Sequence, residues 1–179
     1  IMDIHNYDIV LQKAKEGDKE AIGSLWEHIT PKLFGYLVHT LRDKQVAEDI
    51  LQTTWVKAIV ALPTFHSRGV SVEAWLFAIA RNECRMLWRT KGREVAYDAR
   101  IHDTADNTTE QGSENTILVE QLFTKMRDAD REILRLYYIG GLGVEEVAHV
   151  LGTSAIATRV RIYRALKRAE KILTHHTYE

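Results

Sequence analysis

The chain has 179 residues, 45% of them hydrophobic and 27% charged, with a formal net charge of −1. That balance excludes a wholly disordered chain and fits one domain or two small ones. No apolar run reaches the ~18 residues of a membrane span, no secretion signal opens the sequence, and the single cysteine, Cys84, rules out an internal disulfide, so a cytoplasmic protein without membrane insertion is expected.

Helical periodicity runs through most of the chain and strand-like alternation is missing, so the predicted fold class is all-α. Asp18 is placed to cap a helix whose inner face is Ile22, Leu25, Trp26, Ile29, Leu33, Phe34 and Leu37. Pro31 interrupts that pattern and is expected to kink the helix or divide it in two. Asp43 is placed to cap the next helix, with Val46, Ile50, Leu51, Thr54, Ala58 and Leu62 inward and Pro63 at its end. A short loop containing Phe65 and His66 follows. Ser71 then caps a third helix, with Val72, Trp75, Leu76, Ile79, Ala80 and Leu87 inward, which Gly92 is expected to close.

From about residue 96 to 115 the periodicity vanishes in a stretch rich in Asp, Thr, Asn and Gly, which reads as a flexible linker. The pattern resumes with Ile117, Leu118, Leu122, Phe123 and Met126. Asp128 or Asp130 starts another helix, ended by Gly140-Gly141, and Val144, Val147, Ala148 and Leu151 mark a short one. Gly152-Thr153-Ser154 turns the chain into a last helix. The expectation is two small helical domains, residues 1–95 and 116–179, forming separate bundles on either side of the linker. The second is small enough that its own core should be marginal.

Charge is unevenly spread. Arg81, Arg85, Arg89, Lys91 and Arg93 face only Glu83 in one segment; Arg159, Arg161, Arg164, Lys167, Arg168 and Lys171 face only Glu170 in another. Between them Asp98, Asp103, Asp106, Glu110 and Glu114 outweigh Arg100. Two basic segments around an acidic one suggest two surfaces for a polyanion.

The segment from Glu145 to Ser154, followed by the basic helix, has the layout of a helix-turn-helix: a short helix, a turn with Gly152, and an Arg-rich second helix. Ala148 is small enough for a close crossing, Gly152 tolerates the left-handed turn, and Ser154 is placed to cap the second helix. Ala155, Ala157, Thr158, Arg159 and Arg161 lie near the end that would enter a major groove, while Arg164, Lys167 and Arg168 suit the phosphate backbone. Earlier, Arg81, Arg85, Trp88 and Arg89 recur at helical spacing beside the Phe65-His66 loop, a mixture of cations and aromatics that suits single-stranded nucleic acid.

Three segments in order resemble a group 4 (extracytoplasmic-function, ECF) sigma factor of bacterial RNA polymerase. Val46-Ala47-Glu48-Asp49-Ile50-Leu51-Gln52-Thr53-Thr54-Trp55 is similar to the family's Asp-Ala-Glu-Asp-Leu-Val-Gln-Glu-Thr-Phe. Trp75-Leu76 with Ile79-Ala80-Arg81-Asn82 is similar to its Trp-Leu-x-x-Ile-Ala-Arg-Asn. Leu151-Gly152-Thr153-Ser154, with Arg161, Arg164 and Ala165, is similar to its Leu-Gly-x-Ser, Arg and Arg-Ala positions. The resemblance implies a region 2 domain and a region 4 domain. It implies docking on core polymerase, at the clamp helices of the largest subunit through Glu48, Asp49 and Gln52, and at the flap of the second-largest subunit. It implies −10 promoter recognition and melting by Phe65, His66, Arg81, Asn82, Arg85, Trp88 and Arg89. It implies −35 recognition by Ser154, Ala157, Thr158, Arg159, Arg161, Arg164, Lys167 and Arg168, and control by an anti-sigma factor.

The chain departs from the family pattern at Val46 and Thr53 in the docking motif, at Met86 where Asp is usual, and at Gly143 where Ser or Thr caps the next helix. Ala157-Thr158 stand where Thr-Val is usual, which moves a hydroxyl from the DNA face to a core position. No phosphate-binding glycine loop, nucleophile elbow or His-Glu-x-x-His motif is present, so no enzyme, cofactor or metal is expected. Cys84 is expected to be a buried, inert thiol. A conventional helix-turn-helix regulator is the first rival, opposed by the Glu48-Asp49 motif. A decoy that only sequesters an anti-sigma factor is the second, opposed by the intact basic last helix.

Overall fold

Helix caps and apolar stripes act over three or four residues, and they organise the chain much as its pattern requires. The computed structural model describes residues 4–67, 69–97 and 122–176, the side chains of 4–6, 91–97 and 175–176 excepted. Helices α1 (Ile4–Lys15), α2 (Lys19–Leu41), α3 (Lys44–Ala61) and α4 (Val72–Tyr97) form the first unit, with a 3-10 turn at Leu62–Thr64. The second holds α5 (Asp128–Leu134), a π-helical turn over Arg135–Ile139, α6 (Val144–Leu151) and α7 (Ala155–His176). The described residues contain no strand.

The caps are local and well formed. Asp18 accepts the Ala21 N–H at 2.9 Å, Asp43 the Val46 N–H at 3.0 Å, and Ser71 the Ala74 N–H at 3.1 Å. Helix α2 runs undivided through Pro31. Pro31 and Glu27, whose carbonyl loses its N–H partner, both face solvent, where water supplies the missing bond. Helix α4 likewise continues past Gly92 to Tyr97, because one glycine inside a helix costs only about 1 kcal/mol. Residues 96 and 97 of the expected linker are therefore helical, and the rest of it lies outside the described residues.

In the first unit Leu25, Ile29, Leu33 and Leu37 of α2 pack with Ala47, Leu51 and Ala58 of α3 and with Val72, Leu76 and Ala80 of α4. Trp55 is buried and donates its ring N–H to Thr30 Oγ1 at 3.1 Å. Trp26, expected inward, is instead 38% exposed and covers Trp55, with ring centroids 4.8 Å apart. The second unit buries Ile133, Leu136, Val147, Val150, Ile162 and Ala165.

The two units do not stand apart. Helix α2 packs on the π-helical turn, α4 packs on α6, and the buried residues of both units form one cluster. Phe77 of α4 is buried against Gly140, where an added Cβ would sit 2.7 Å from Phe77 Cε1 and 2.7 Å from the Leu136 carbonyl oxygen. The two helical domains expected from the sequence are present, and in this arrangement they are in contact. A unit of this size leaves apolar surface uncovered, and α4 supplies the cover.

Candidate nucleic-acid interface

The turn between α6 and α7 is built as its sequence requires. Gly152 takes the left-handed conformation at φ 66°, and the Thr153 N–H reaches back to the Ala148 carbonyl at 2.9 Å. Ala148 is buried, and Ser154 Oγ accepts the Ala157 N–H at 3.2 Å, starting α7. Gly143 offers no side-chain cap to α6; Glu146 compensates by accepting the Gly143 N–H at 2.8 Å. The other Glu146 oxygen accepts a hydrogen bond from the Ser71 hydroxyl, so the residue that caps α4 also ties the helix-turn-helix to the first unit.

Helix α7 turns Thr158, Ile162, Ala165 and Ala169 inward. Ser154, Arg159, Arg161, Arg164 and Lys167 face solvent, and Ala157 is half-buried beside the cap. Arg159 stands 3.9 Å from Glu145 with both side chains well exposed, and Lys167 pairs with Glu170 at 2.7 Å. Arg168 is engaged differently. Its Nε and Nη2 donate to the two Asp130 oxygens at 2.7 and 2.6 Å, and Arg127 adds a contact at 3.2 Å. The Arg168 hydrogen bonds hold the Asp130 carboxyl below its ordinary range, against the opposing effect of burial.

On α4, Asn82, Arg85, Met86 and Arg89 share the solvent face, with Trp88 48% exposed at its edge. Glu83 pairs with Lys57 at 2.6 Å and so fixes this helix on α3. Cys84 is buried, which pushes its thiol up to about 12. His66 is exposed, whereas the Phe65 ring is buried 4.8 Å from that of Trp75. Arg81 points into a groove of about 470 Å³ between the two units, whose walls also carry Arg127, Arg161, Arg164 and Arg168. Within it Arg81 Nε donates to Glu132 Oε1 at 2.7 Å. On α3, Glu48, Asp49 and Gln52 form an exposed ridge that continues into Val56 and Val60, 63% and 77% exposed.

The family model Sigma-70 region 2 matches residues 25–94, and Sigma-70, region 4 matches residues 117–168. The ECF RNA polymerase sigma factor SigD of Mycobacterium tuberculosis is 32% identical over 171 residues, covering 90% of this chain and 81% of that protein. The chain belongs to the ECF RNA polymerase sigma factors.

The ECF sigma factor BldN of Streptomyces coelicolor is 26% identical over 172 residues, 92% of this sigma factor, which spans 64% of that relative's length. The crystallised complex of the sigma factor RpoE with the anti-sigma factor NepR from Bartonella quintana matches this fold with a TM-score of 0.71. The two sequences are 26% identical, and the match covers 85% of this chain and 96% of that one.

Against this background four sequence expectations change. Thr158 is wholly buried and presents nothing to DNA, because it falls on the inner stripe of α7. Phe65 is packed on Trp75 and offers no free face for a base. Arg81 and Arg168 are both held by carboxylates of α5. The structure also exposes apolar residues that the charge pattern does not mark. Ile156, Val160 and Tyr163 are 79%, 41% and 62% exposed on α7, as Val56 and Val60 are on α3. Their signal was available: each lies where helical periodicity puts the polar side. Among the described residues no helix is long and apolar enough to cross a membrane, and no His, Cys, Asp and Glu group could hold a metal.

Proposed function

We propose that this sigma factor binds core RNA polymerase, directs it to −10 and −35 promoter elements, helps open the DNA, and makes no covalent bond of its own. The observation that carries this reading is the pairing, in one chain, of a capped helix-turn-helix bearing exposed Arg159, Arg161 and Arg164 with the separate carboxylate ridge of Glu48 and Asp49. The helix-turn-helix serves the −35 duplex, together with Ser154, Ala157 and Lys167 and a polymerase contact at the flap. His66, Asn82, Arg85, Trp88 and Arg89 serve the −10 element. The Glu48, Asp49 and Gln52 ridge docks on the clamp helices. The work is cytoplasmic, and an anti-sigma factor is the regulator; the complex of RpoE with NepR supports that class of partner.

Two elements about 25 base pairs apart lie roughly 85 Å apart along B-DNA at 3.4 Å per pair. A folded chain of this length is only roughly 40 Å across. Engaging both elements on an unbent duplex therefore requires the two units to part, which releases Arg81 from Glu132.

Run-off transcription with bacterial core polymerase on a promoter library tests the reading. Discrete start sites with the parent are expected, and none with Glu48→Arg plus Asp49→Arg, since both positions are exposed and their reversal sets like charges together. A double variant that folds and initiates like the parent would remove the docking role from Glu48 and Asp49, whereas a parent that gives no start site with core polymerase would favour a conventional DNA-binding regulator.

A further inference from the structure

On α7 the inward residues Thr158, Ile162, Ala165 and Ala169 define one side of the helix. At roughly 100° per residue the opposite side is Ile156, Val160, Tyr163 and Lys167. The first three are exposed at 79%, 41% and 62%. Arg159 flanks this stripe on one edge and Arg164 on the other, both exposed. The outer face of α7 thus has an apolar centre and two cationic edges, starting one residue beyond the Ser154-capped N-terminus.

That cross-section complements a B-DNA major groove, which has base edges on its floor and phosphates along both walls. The only methyl group on the floor belongs to thymine. Neither Ile156 nor Val160 can donate or accept a hydrogen bond to a base edge, so the centre of the stripe has no means of reading guanine or adenine by paired hydrogen bonds. From residue 156 to 163 the helix rises roughly 10.5 Å, about three base-pair steps.

We infer that Ile156, Val160 and the Tyr163 ring read thymine methyl groups at adjacent positions of the −35 duplex, while Arg159 and Arg164 hold the flanking phosphates. This deepens the proposed function and rests on its assignment of α7 to DNA. Sequence preference then comes from apolar contact, and the arginines set affinity and its salt dependence.

The test uses the full chain. A random duplex library is selected for binding, and each thymine of the winning site is replaced singly by deoxyuridine, which removes only the methyl group. About fourfold weaker binding is expected at two or three neighbouring positions, the weight of one buried methyl group. Ile156→Ala should erase the thymine-to-uracil ratio at one position and Val160→Ala at its neighbour, each with an unchanged salt slope. Arg159→Ala or Arg164→Ala should lower the slope by about 0.9 and keep the ratio. All four positions are exposed, so the variants are expected to fold, which circular dichroism checks. A selected site that binds deoxyuridine as well as thymine everywhere, with the arginine effects intact, overturns the methyl reading and leaves the DNA assignment standing. No selected sequence and no arginine effect overturns both. Undiminished duplex binding by Ile156→Ala and Val160→Ala, with lost retention on core polymerase, overturns the inference by making the stripe a protein-docking face.

Discussion

Arg81 of α4 and Glu132 of α5 close the two units on each other: Nε donates to Oε1 at 2.7 Å and Nη2 to Oε2 at 3.3 Å, with the side chains only 17% and 33% exposed. The pair removes from solvent an arginine that the family pattern assigns to the −10 element. Charge reversal by Glu132→Arg should therefore weaken the closed arrangement by about 1–2 kcal/mol. Small-angle scattering of the free protein should show a larger radius of gyration for the variant. Identical radii for variant and parent would show that the pair does not hold the units together.

Gly140 supports the same junction by shape. Its backbone conformation, φ −70°, suits any residue, so the need for glycine comes from the close approach of Phe77 and the Leu136 carbonyl. Gly140→Ala should destabilise the protein by about 1–3 kcal/mol, as overpacking does. Phe77→Leu in the same chain should recover only part of that, because the carbonyl contact remains. Urea denaturation of the four chains of the cycle measures it; a neutral Gly140→Ala would contradict the packing.

Thr158 is fully buried and its hydroxyl has no hydrogen-bond partner. Valine has nearly the same shape without the unsatisfied polar atom. Thr158→Val should raise stability by about 1–2 kcal/mol and leave duplex affinity unchanged. Thermal unfolding and a binding titration check both parts. A loss of DNA affinity would return this residue to the contact surface.

Asp130 predicts a pH dependence. Arg168 and then Arg127 hold its folded-state carboxyl below the value near 3.9 of an unfolded aspartate. Its contribution is complete above that value and fades as pH falls through the lower folded pKa. The parent should lose melting temperature below about pH 4 more steeply than Asp130→Asn, which starts lower at neutral pH. Parallel curves for the two proteins would show that the Arg168 contact contributes no stability.

What the sequence determined by itself is local. Asp18, Asp43, Ser71 and Ser154 cap helices because each bond spans three residues, and Gly152 turns the chain because its neighbours leave it the left-handed conformation. The exposed Glu48, Asp49 and Gln52 ridge and the outward Arg159, Arg161 and Arg164 follow from helical period alone. Tertiary structure decided the rest. Glu132 meets Arg81 across 51 positions and Asp130 meets Arg168 across 38, contacts that exist only because α5 lodges between α4 and α7. Phe65 turned from a candidate base contact into packing against Trp75, and Phe77 turned inward to meet Gly140. Periodicity shows which way a side chain faces from its own helix. Only the packing of other helices decides whether solvent, an apolar ring or an opposite charge is waiting there.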